Sequence, residues 1–508
     1  MTGFPSTVIP PEFIELVEKY RVGNVILFSE NIESLAQLKR LCREIQELVQ
    51  RCTGQPALIA VDQEGGVVTR MPSDAANVPG AMALAATGNP ELAFEAGRIT
   101  GEELRDCGVN FNLAPDVDVN SNSDNPVIGV RSYGDRPETV IQYSGQMLRG
   151  LQAGGVLCAV KHFPGHGDTS VDSHMGLPIV NKPLFELEQT ELPPFQAAIA
   201  DGTDAVMTSH ILFPQLEPKQ LPATMSKAIL TDLLRVKLGF QGIIITDCLE
   251  MGAITQNYGT SCAALHAISA GADILCISHT PASVAGAAEE IYRAVRKGAL
   301  SEARLDEAVQ HIVKGKNKLI SRTHCHPVDY DAHKKAVRQM LRNSLTLVRG
   351  TLPPLGRNPL FIGCYAYRST LASTRPDRQV SFAEYLSDRL GGSALITSIN
   401  PDEEEILHAV KQSAHHSCIV LGTYNGHISR GQIQLANRLC EAVNNRIIVV
   451  ALRNPYDLAL IDEKAACIAA YEYSVPCFEA LAELLSGTLI PRGTLSVTLH
   501  GPDRNAMG

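Results

Sequence analysis

Short apolar, β-branched runs recur through the first part of the chain, at 25–28, 57–62, 111–116, 156–162, 205–210, 243–247 and 274–278. Between them, apolar residues fall at helical spacing. In 90–106, Leu92, Phe94, Ala96 and Leu104 are expected to form one buried face and Asn89 stands where an N-cap belongs. Residues 36–50 and 260–270 read the same way. Strand alternating with helix predicts a parallel sheet. Residues 1–4 look like the tail of an eighth strand, and eight such units close a (β/α)8 TIM-type barrel.

The pattern changes at 321–335 (SRTHCHPVDYDAHKK), which is polar, His-rich and without apolar periodicity. Alternation then resumes, with a helix over 334–345 and strands at 345–348, 360–362, 393–397, 417–421, 447–452 and 467–471. The expected organisation is a barrel over 1–320, a linker over 321–340 and a smaller α/β sandwich domain over 341–508. His324, Cys325 and His326 lie in the linker, but adjacent residues point different ways and no second cluster has ligand spacing, so no metal is expected.

Composition narrows the class. A net charge of −10 argues against nucleic-acid binding, and no apolar run reaches the length of a membrane span. The start, MTGFPSTVIPPEF, lacks a basic segment leading an apolar core, and the 13 cysteines show no CxxC pairs. Reduced thiols and a cytoplasmic location are the expectation. There is no GxGxxG, no phosphate-binding GxxxxGK[ST] and no GxSxG, so no cofactor and no serine-hydrolase elbow are expected.

A barrel brings the C-terminal ends of its strands to one face, where catalytic residues sit. Those ends carry Asp62-Gln63-Glu64, Asp116, Lys161-His162, Ser209-His210 and Asp247. The stretch 159–178, AVKHFPGHGDTSVDSHMGLP, is the most telling: an apolar run ends in Lys161 and His162, and a Gly/Pro-rich loop with His166, Asp172 and His174 follows. Asp172 and His174 are two apart, so in extended chain they share a face, and a carboxylate beside an imidazole orients the ring and favours its proton. Such a histidine can give and take back a proton. Asp247 ends an apolar strand, where an isolated charge is costly unless it is paired or functional. Asp62, followed by Gln63-Glu64-Gly65-Gly66, suits a carboxylate that accepts bonds from ligand hydroxyls. The loop 163–178 has little to bury and is expected to move and close over a ligand.

KHFPGHGDTSVDSHMGLP resembles the signature loop of the β-N-acetylglucosaminidases of glycoside hydrolase family 3. VILFSENI, AVDQEGGVVTR, NPVIGVRSYG and ITDCLEMGAI are similar to that family in order and spacing, and AYEYSVPCFEALAELLSG with PRGTLSVTL resembles the C-terminal domain of its two-domain members. The resemblance implies Asp247 as nucleophile, His174 as acid/base assisted by Asp172, and Asp62, Arg131, Lys161 and His162 as residues binding the terminal N-acetylglucosamine. It implies a retaining exo-glycosidase without cofactor or metal, acting on a small oligosaccharide such as a chitin or peptidoglycan fragment. Cys248, beside the nucleophile, is expected to face the other side of the sheet. The competing readings are a glycoside phosphorylase or β-glucosidase on the same scaffold, a metal-dependent hydrolase using His162, His166, His174 and His210, and a non-catalytic sugar-binding protein.

Overall fold

A computed structural model describes residues 1–172, 176–322, 327–370, 372–374 and 380–500. Every strand expected in the first part forms: β1 (Asn24–Ile26), β2 (Leu58–Val61), β3 (Phe111–Asn112), β4 (Leu157–Phe163), β5 (Ala205–Thr208), β6 (Ile243–Cys248) and β7 (Ile274–Cys276). They pair in sequence order and all in parallel. A parallel sheet is buried on both faces, which is why these strands read as nearly continuous apolar runs. Alternate residues divide between two layers. Ile26, Leu58, Ala60, Phe111, Leu157, Ala159, Ala205, Ile243 and Ile245 form the inner layer. Ile59, Val61, Cys158, Val160, Val206 and Ile244 pack outward against the helices.

The sheet curls. The backbone of Met1–Gly3 bonds at both of its edges: Thr2 N–H to Asn24 O at 3.2 Å and Ile26 N–H to Thr2 O at 3.0 Å, then Gly3 N–H to Ser278 O and Ile277 N–H to Met1 O, each at 3.0 Å. A Cβ on Gly3 would stand 2.6 Å from Ile26 O and 2.9 Å from Ser278 O, so only glycine fits this seam. The expected helices form as Leu35–Thr53, Glu91–Asp106 and Thr260–Ala270. Asn89 Oδ1 accepts the Glu91 N–H at 3.1 Å, as its place before the helix suggested.

The second sheet has β8 (Thr346–Arg349), β9 (Leu360–Gly363), β10 (Ser393–Ile396), β11 (Ile419–Thr423), β12 (Ile447–Ala451) and β13 (Ala466–Ala469). Their order is β10-β9-β11-β12-β13-β8, and all pair in parallel except β8, which runs antiparallel to β13. Both faces are covered: Phe361, Val420 and Ile448 pack on one side with Phe382 and Phe478, and Leu360, Ile419 and Val449 on the other with Ile433 and Leu439.

The expected linker is only partly one. Its second half is the start of the helix Tyr330–Ser344, capped by Asp329 Oδ1 on the Ala332 N–H at 3.0 Å. This helix buttresses both domains. His333 Nδ1 meets Glu103 Oε1 at 3.0 Å on the first, and Arg342 pairs with both oxygens of Glu483 at 2.7 and 2.6 Å on the second. Within the polar stretch that suggested a linker, Tyr330 and His333 face the first domain, with Tyr330 Oη donating to Asp106 Oδ2 at 2.7 Å. No helix of the described residues is long and apolar enough to cross a membrane.

Candidate active site

At two strand ends the pairing slips. In β4, Val160 pairs with Val206 and Phe163 with Thr208, so Lys161 and His162 together oppose one residue of β5. In β6, Ile245 pairs with Ile274 and Cys248 with Cys276, so Thr246 and Asp247 oppose one residue of β7. Such a bulge bends the strand and re-aims side chains. Alternation would send consecutive residues to opposite faces, yet Lys161 and His162 line one cleft, and so do Asp247 and Cys248. The expectation that Cys248 faces the other side of the sheet is therefore corrected. The extra residue returns it to the phase of Cys276, which belongs to the inner layer. Burial pushes the Cys248 thiol up to about 11.

The cleft encloses about 720 Å³ and is lined by Asp62, Glu64, Arg70, Arg131, Lys161, His162, His166 and Asp247, with Arg368 and Ala372–Thr374 from the second domain. Asp62, Arg131, Lys161, His162 and Asp247 are thus brought together as the sequence implied. Their order rests on charge pairing. Lys161 Nζ sits 2.7 Å from both Asp62 Oδ1 and Glu64 Oε1. Arg131 grips Glu64 with two bonds, Nε to Oε2 at 2.9 Å and Nη2 to Oε1 at 2.8 Å. Burial pushes the Glu64 carboxyl up, but Arg131 and Lys161 outweigh it and hold it below the usual carboxylate range. Burial lowers the Lys161 ammonium, and Asp62 and Glu64 raise it back above its ordinary value. Glu64, named among the charged strand ends but given no role there, anchors both cations and leaves Asp62, the more exposed carboxylate, at the cleft.

His162 is held from the other side. Its Nδ1 lies 2.7 Å from Asp118 Oδ2, and Arg131 Nη2 lies 3.3 Å from its Nε2. Arginine only donates, so this network assigns the proton to Nδ1 and leaves Nε2 as acceptor. Asp118 also accepts the backbone N–H of His166 at 2.6 Å. Burial raises the Asp118 carboxyl, but His162 outweighs it and the group is held below its ordinary value. Asp116, buried beside Asp118, is pushed well above its own.

Asp247 Oδ1 accepts the backbone N–H of Cys248 at 2.7 Å, which fixes the carboxylate's orientation. His210 Nε2 donates to the carbonyl of Cys248 at 2.9 Å and so braces the turn behind Asp247. Asp172 is half-buried, and its carbonyl accepts the N–H of Gly176 at 3.0 Å. His174, the implied acid/base, lies outside the described residues.

The loop expected to be mobile is packed in its first half. Phe163, His166 and Thr169 are buried. His166 Nδ1 meets Thr169 Oγ1 at 2.8 Å. A Cβ on Gly167 would fall 1.6 Å from Val119 O, so glycine here lets backbone lie on backbone. Small residues signalled close approach at this point, and the sequence reading took them for freedom.

Of the four histidines of the metal reading, the three described ones turn to different partners: His162 to Asp118, His166 to Thr169 and His210 to Cys248 and Thr224. Asp116, Asp118 and His162 do place three possible ligand atoms within 4.8 Å of one another. Arg131 Nη2 stands 3.5 Å from Asp116 Oδ2, a fixed cation that would repel a second one.

Arg70 is the other residue missed. The turn at Gly65-Gly66 folds the chain back, with Glu64 N–H and Gly65 N–H both on Val68 O, at 3.0 and 3.1 Å. Gln63 Oε1 then accepts the N–H groups of Arg70 and Met71 at 2.7 and 3.1 Å. The Gly-Gly pair directly after a charged strand end was the available signal for this reversal.

A curated relative, beta-hexosaminidase A of Pseudoalteromonas piscicida, is 30% identical over 97% of this chain and 92% of its own length. A beta-hexosaminidase of Xylella fastidiosa is 34% identical over 55% of this chain and 83% of its own. A solved glycoside hydrolase family 3 beta-N-acetylglucosaminidase from a Paenibacillus strain superposes with a TM-score of 0.91 at 36% identity, covering 98% of this chain and 97% of that one. Residues 6–314 match the glycosyl hydrolase family 3 N terminal domain, and the chain belongs to that family.

Proposed function

We infer that this chain is a retaining, exo-acting β-N-acetylglucosaminidase that releases terminal β-linked N-acetylglucosamine from oligosaccharides. The observation that carries the reading is Asp247. It is a carboxylate oriented by a backbone N–H, standing in the same cleft as the Asp62–Lys161–Glu64–Arg131 clamp. The clamp presents oxygen acceptors and fixed cations suited to sugar hydroxyls, and a nearby carboxylate suits attack on the anomeric carbon.

In the first step the Asp247 carboxylate bonds to C1 as the C1–O bond to the leaving group breaks, and His174 gives its proton to the departing oxygen. In the second, His174 takes a proton from water as the water oxygen bonds to C1 and the bond to Asp247 breaks. The usual retaining pair is two carboxylates. A histidine assisted by Asp172 keeps a second formal negative charge away from Asp247, which would otherwise raise its pKa. Asp62, Arg70, Arg131, Lys161 and His162 are assigned to the terminal sugar. The first sheet is read as a closed eight-unit barrel with Met1–Gly3 as the remaining element, supported by their hydrogen bonds to both edges.

The test is hydrolysis of an aryl β-N-acetylglucosaminide beside the matching β-glucoside. At least hundredfold preference for the former in kcat/KM, with N-acetylglucosamine released in phosphate buffer, is expected. Release of the sugar 1-phosphate would make the enzyme a phosphorylase, and preference for the glucoside would overturn the substrate assignment.

A further inference from the structure

Arg70 belongs to the first domain by sequence, but its side chain is held by the second. Nη1 donates to Thr374 Oγ1 at 3.1 Å and Nη2 to the carbonyl of Ala372 at 2.9 Å. Nε is buried with no hydrogen-bond partner among the described residues. Every side-chain hydrogen bond that the described residues give Arg70 therefore crosses the domain boundary. The guanidinium is buried, lines the cleft, and lies within the fields of Asp62 and Glu64.

Thr374 is built into that boundary at every polar atom of its N–H and hydroxyl. Its N–H donates to Val67 O at 2.8 Å. Its hydroxyl donates to Thr69 O at 2.6 Å and accepts from Thr69 N–H at 2.8 Å and from Arg70 Nη1. One donor and two lone pairs are the full capacity of a hydroxyl, so none is left over. The second domain holds the neighbouring residue in turn: Arg453, buried at the end of β12, donates Nη2 to Ser373 Oγ at 3.2 Å and Nη1 to Tyr424 Oη at 2.8 Å. The chain of contacts runs from the second sheet through Arg453 and Ser373 to Thr374, and from there to Arg70 at the cleft wall.

We propose that Thr374 is a positioning residue for the glycosidase reaction: the second domain completes the sugar-binding cleft by fixing the Arg70 guanidinium through the Thr374 hydroxyl. This rests on the β-N-acetylglucosaminidase reading. Thr374 touches no reacting atom; it acts through Arg70, whose freedom in a buried setting would otherwise blur the charge presented beside Asp62. The second domain is then more than a stabilising appendage.

The test is a double-mutant cycle in the full chain with an aryl β-N-acetylglucosaminide. Thr374→Val keeps the shape and removes the hydroxyl. It is expected to lower kcat/KM about tenfold, chiefly through KM, and T374S is expected to recover to within about twofold. In the Arg70→Ala background, T374V should produce no further loss, because the group it positions is gone. Thermal unfolding midpoints are measured in parallel. Should T374V not fold, Thr374→Cys, which keeps the volume with a weaker acceptor, takes its place. Losses that multiply in the double variant, or a lowered midpoint with kcat/KM unchanged, would overturn the proposal and leave Thr374 a structural contact. The wild-type rate reports on the functional reading separately. If wild type binds N-acetylglucosamine without hydrolysis, the same cycle is run on its Kd by calorimetry.

Discussion

Each domain holds a histidine against an aspartate at the carboxyl edge of its sheet, and the local geometry of the two pairs is nearly the same. His162 Nδ1 lies 2.7 Å from Asp118 Oδ2, and His427 Nδ1 lies 2.7 Å from Asp457 Oδ1. In both, the histidine's own backbone N–H points at the same carboxylate, and both aspartate side chains are 0% exposed. What surrounds them differs. The first pair borders a cleft with Arg131, Lys161, Asp62 and Glu64. The second has the Tyr456 ring packed T-shaped on His427, centroid to centroid 5.9 Å, and His427 Nε2 and Asp457 Oδ2 have no hydrogen-bond partner among the described residues. A histidine–aspartate pair is thus not a site by itself. Fixed charges beside it and open volume in front of it make the difference, and in the first domain strand bulges add Lys161 and Asp247 to that surrounding.

The largest expected effect removes the group that separates the two regions. Asp247→Ala should lower kcat/KM by at least about 10⁴-fold, some 5 kcal/mol of transition-state stabilisation, while sugar binding and the unfolding midpoint change little. Retention of a tenth of the activity would remove Asp247 from the nucleophile role and erase the contrast between the domains.

The next effect depends on the leaving group. His174→Ala should slow substrates with poor leaving groups by about 10²–10⁴-fold, and activated aryl glycosides much less in their first step, because a good leaving group departs without full protonation. Water attack then limits turnover, the covalent intermediate on Asp247 accumulates, and azide should rescue the rate with a β-glycosyl azide as product. Uniform slowing of all leaving groups without azide rescue would place the acid/base elsewhere and reopen the second domain as its source.

Much of this was legible in the residues. Apolar runs and helical spacing located every strand of both sheets, because a buried parallel sheet leaves no other pattern. Charged strand ends located Asp62, Lys161, His162 and Asp247. Three things were not legible. Bulges depend on the partner strand, so neither the convergence of Lys161 with His162 nor the inward turn of Cys248 follows from the local sequence. Glu64 and Arg70 act through partners far away in the chain, Arg131 and Thr374. The glycines at 165 and 167 read as flexibility and proved to be places where chain packs on chain.

A smaller effect concerns acid stability, which should be set in the first domain's cluster. Burial, with the nearby His162, lowers the His166 imidazole to about 4. A histidine whose folded pKa lies below its unfolded value of about 6.5 binds more protons unfolded, so its contribution is full above about pH 6.5 and is lost as pH falls toward 4. The loss should approach about 3 kcal/mol across that window. His166→Gln should flatten the stability profile between pH 6.5 and 4.5, measured by urea unfolding. An unchanged slope would show that other groups govern acid unfolding.

The smallest expected effect falls on the second pair, and it is the sharpest check on the comparison. His427→Gln keeps a polar side chain of similar reach but breaks the bond to Asp457, leaving that buried carboxylate with the backbone N–H of residue 427 as its remaining contact there. Removing one partner of a buried hydrogen bond costs about 1–3 kcal/mol, so urea unfolding should shift by that amount. Turnover should stay within about twofold, because His427 is not among the described residues that line the cleft and a twofold change is under 0.5 kcal/mol of barrier. The two measurements separate the alternatives. A stability loss with intact turnover makes the second pair an internal brace, formed by the same geometry as the first and denied chemistry by its surroundings. A hundredfold fall in kcat at unchanged stability would mean that the second domain's edge reaches the reaction, and the distinction between an open and a closed pair would then fail.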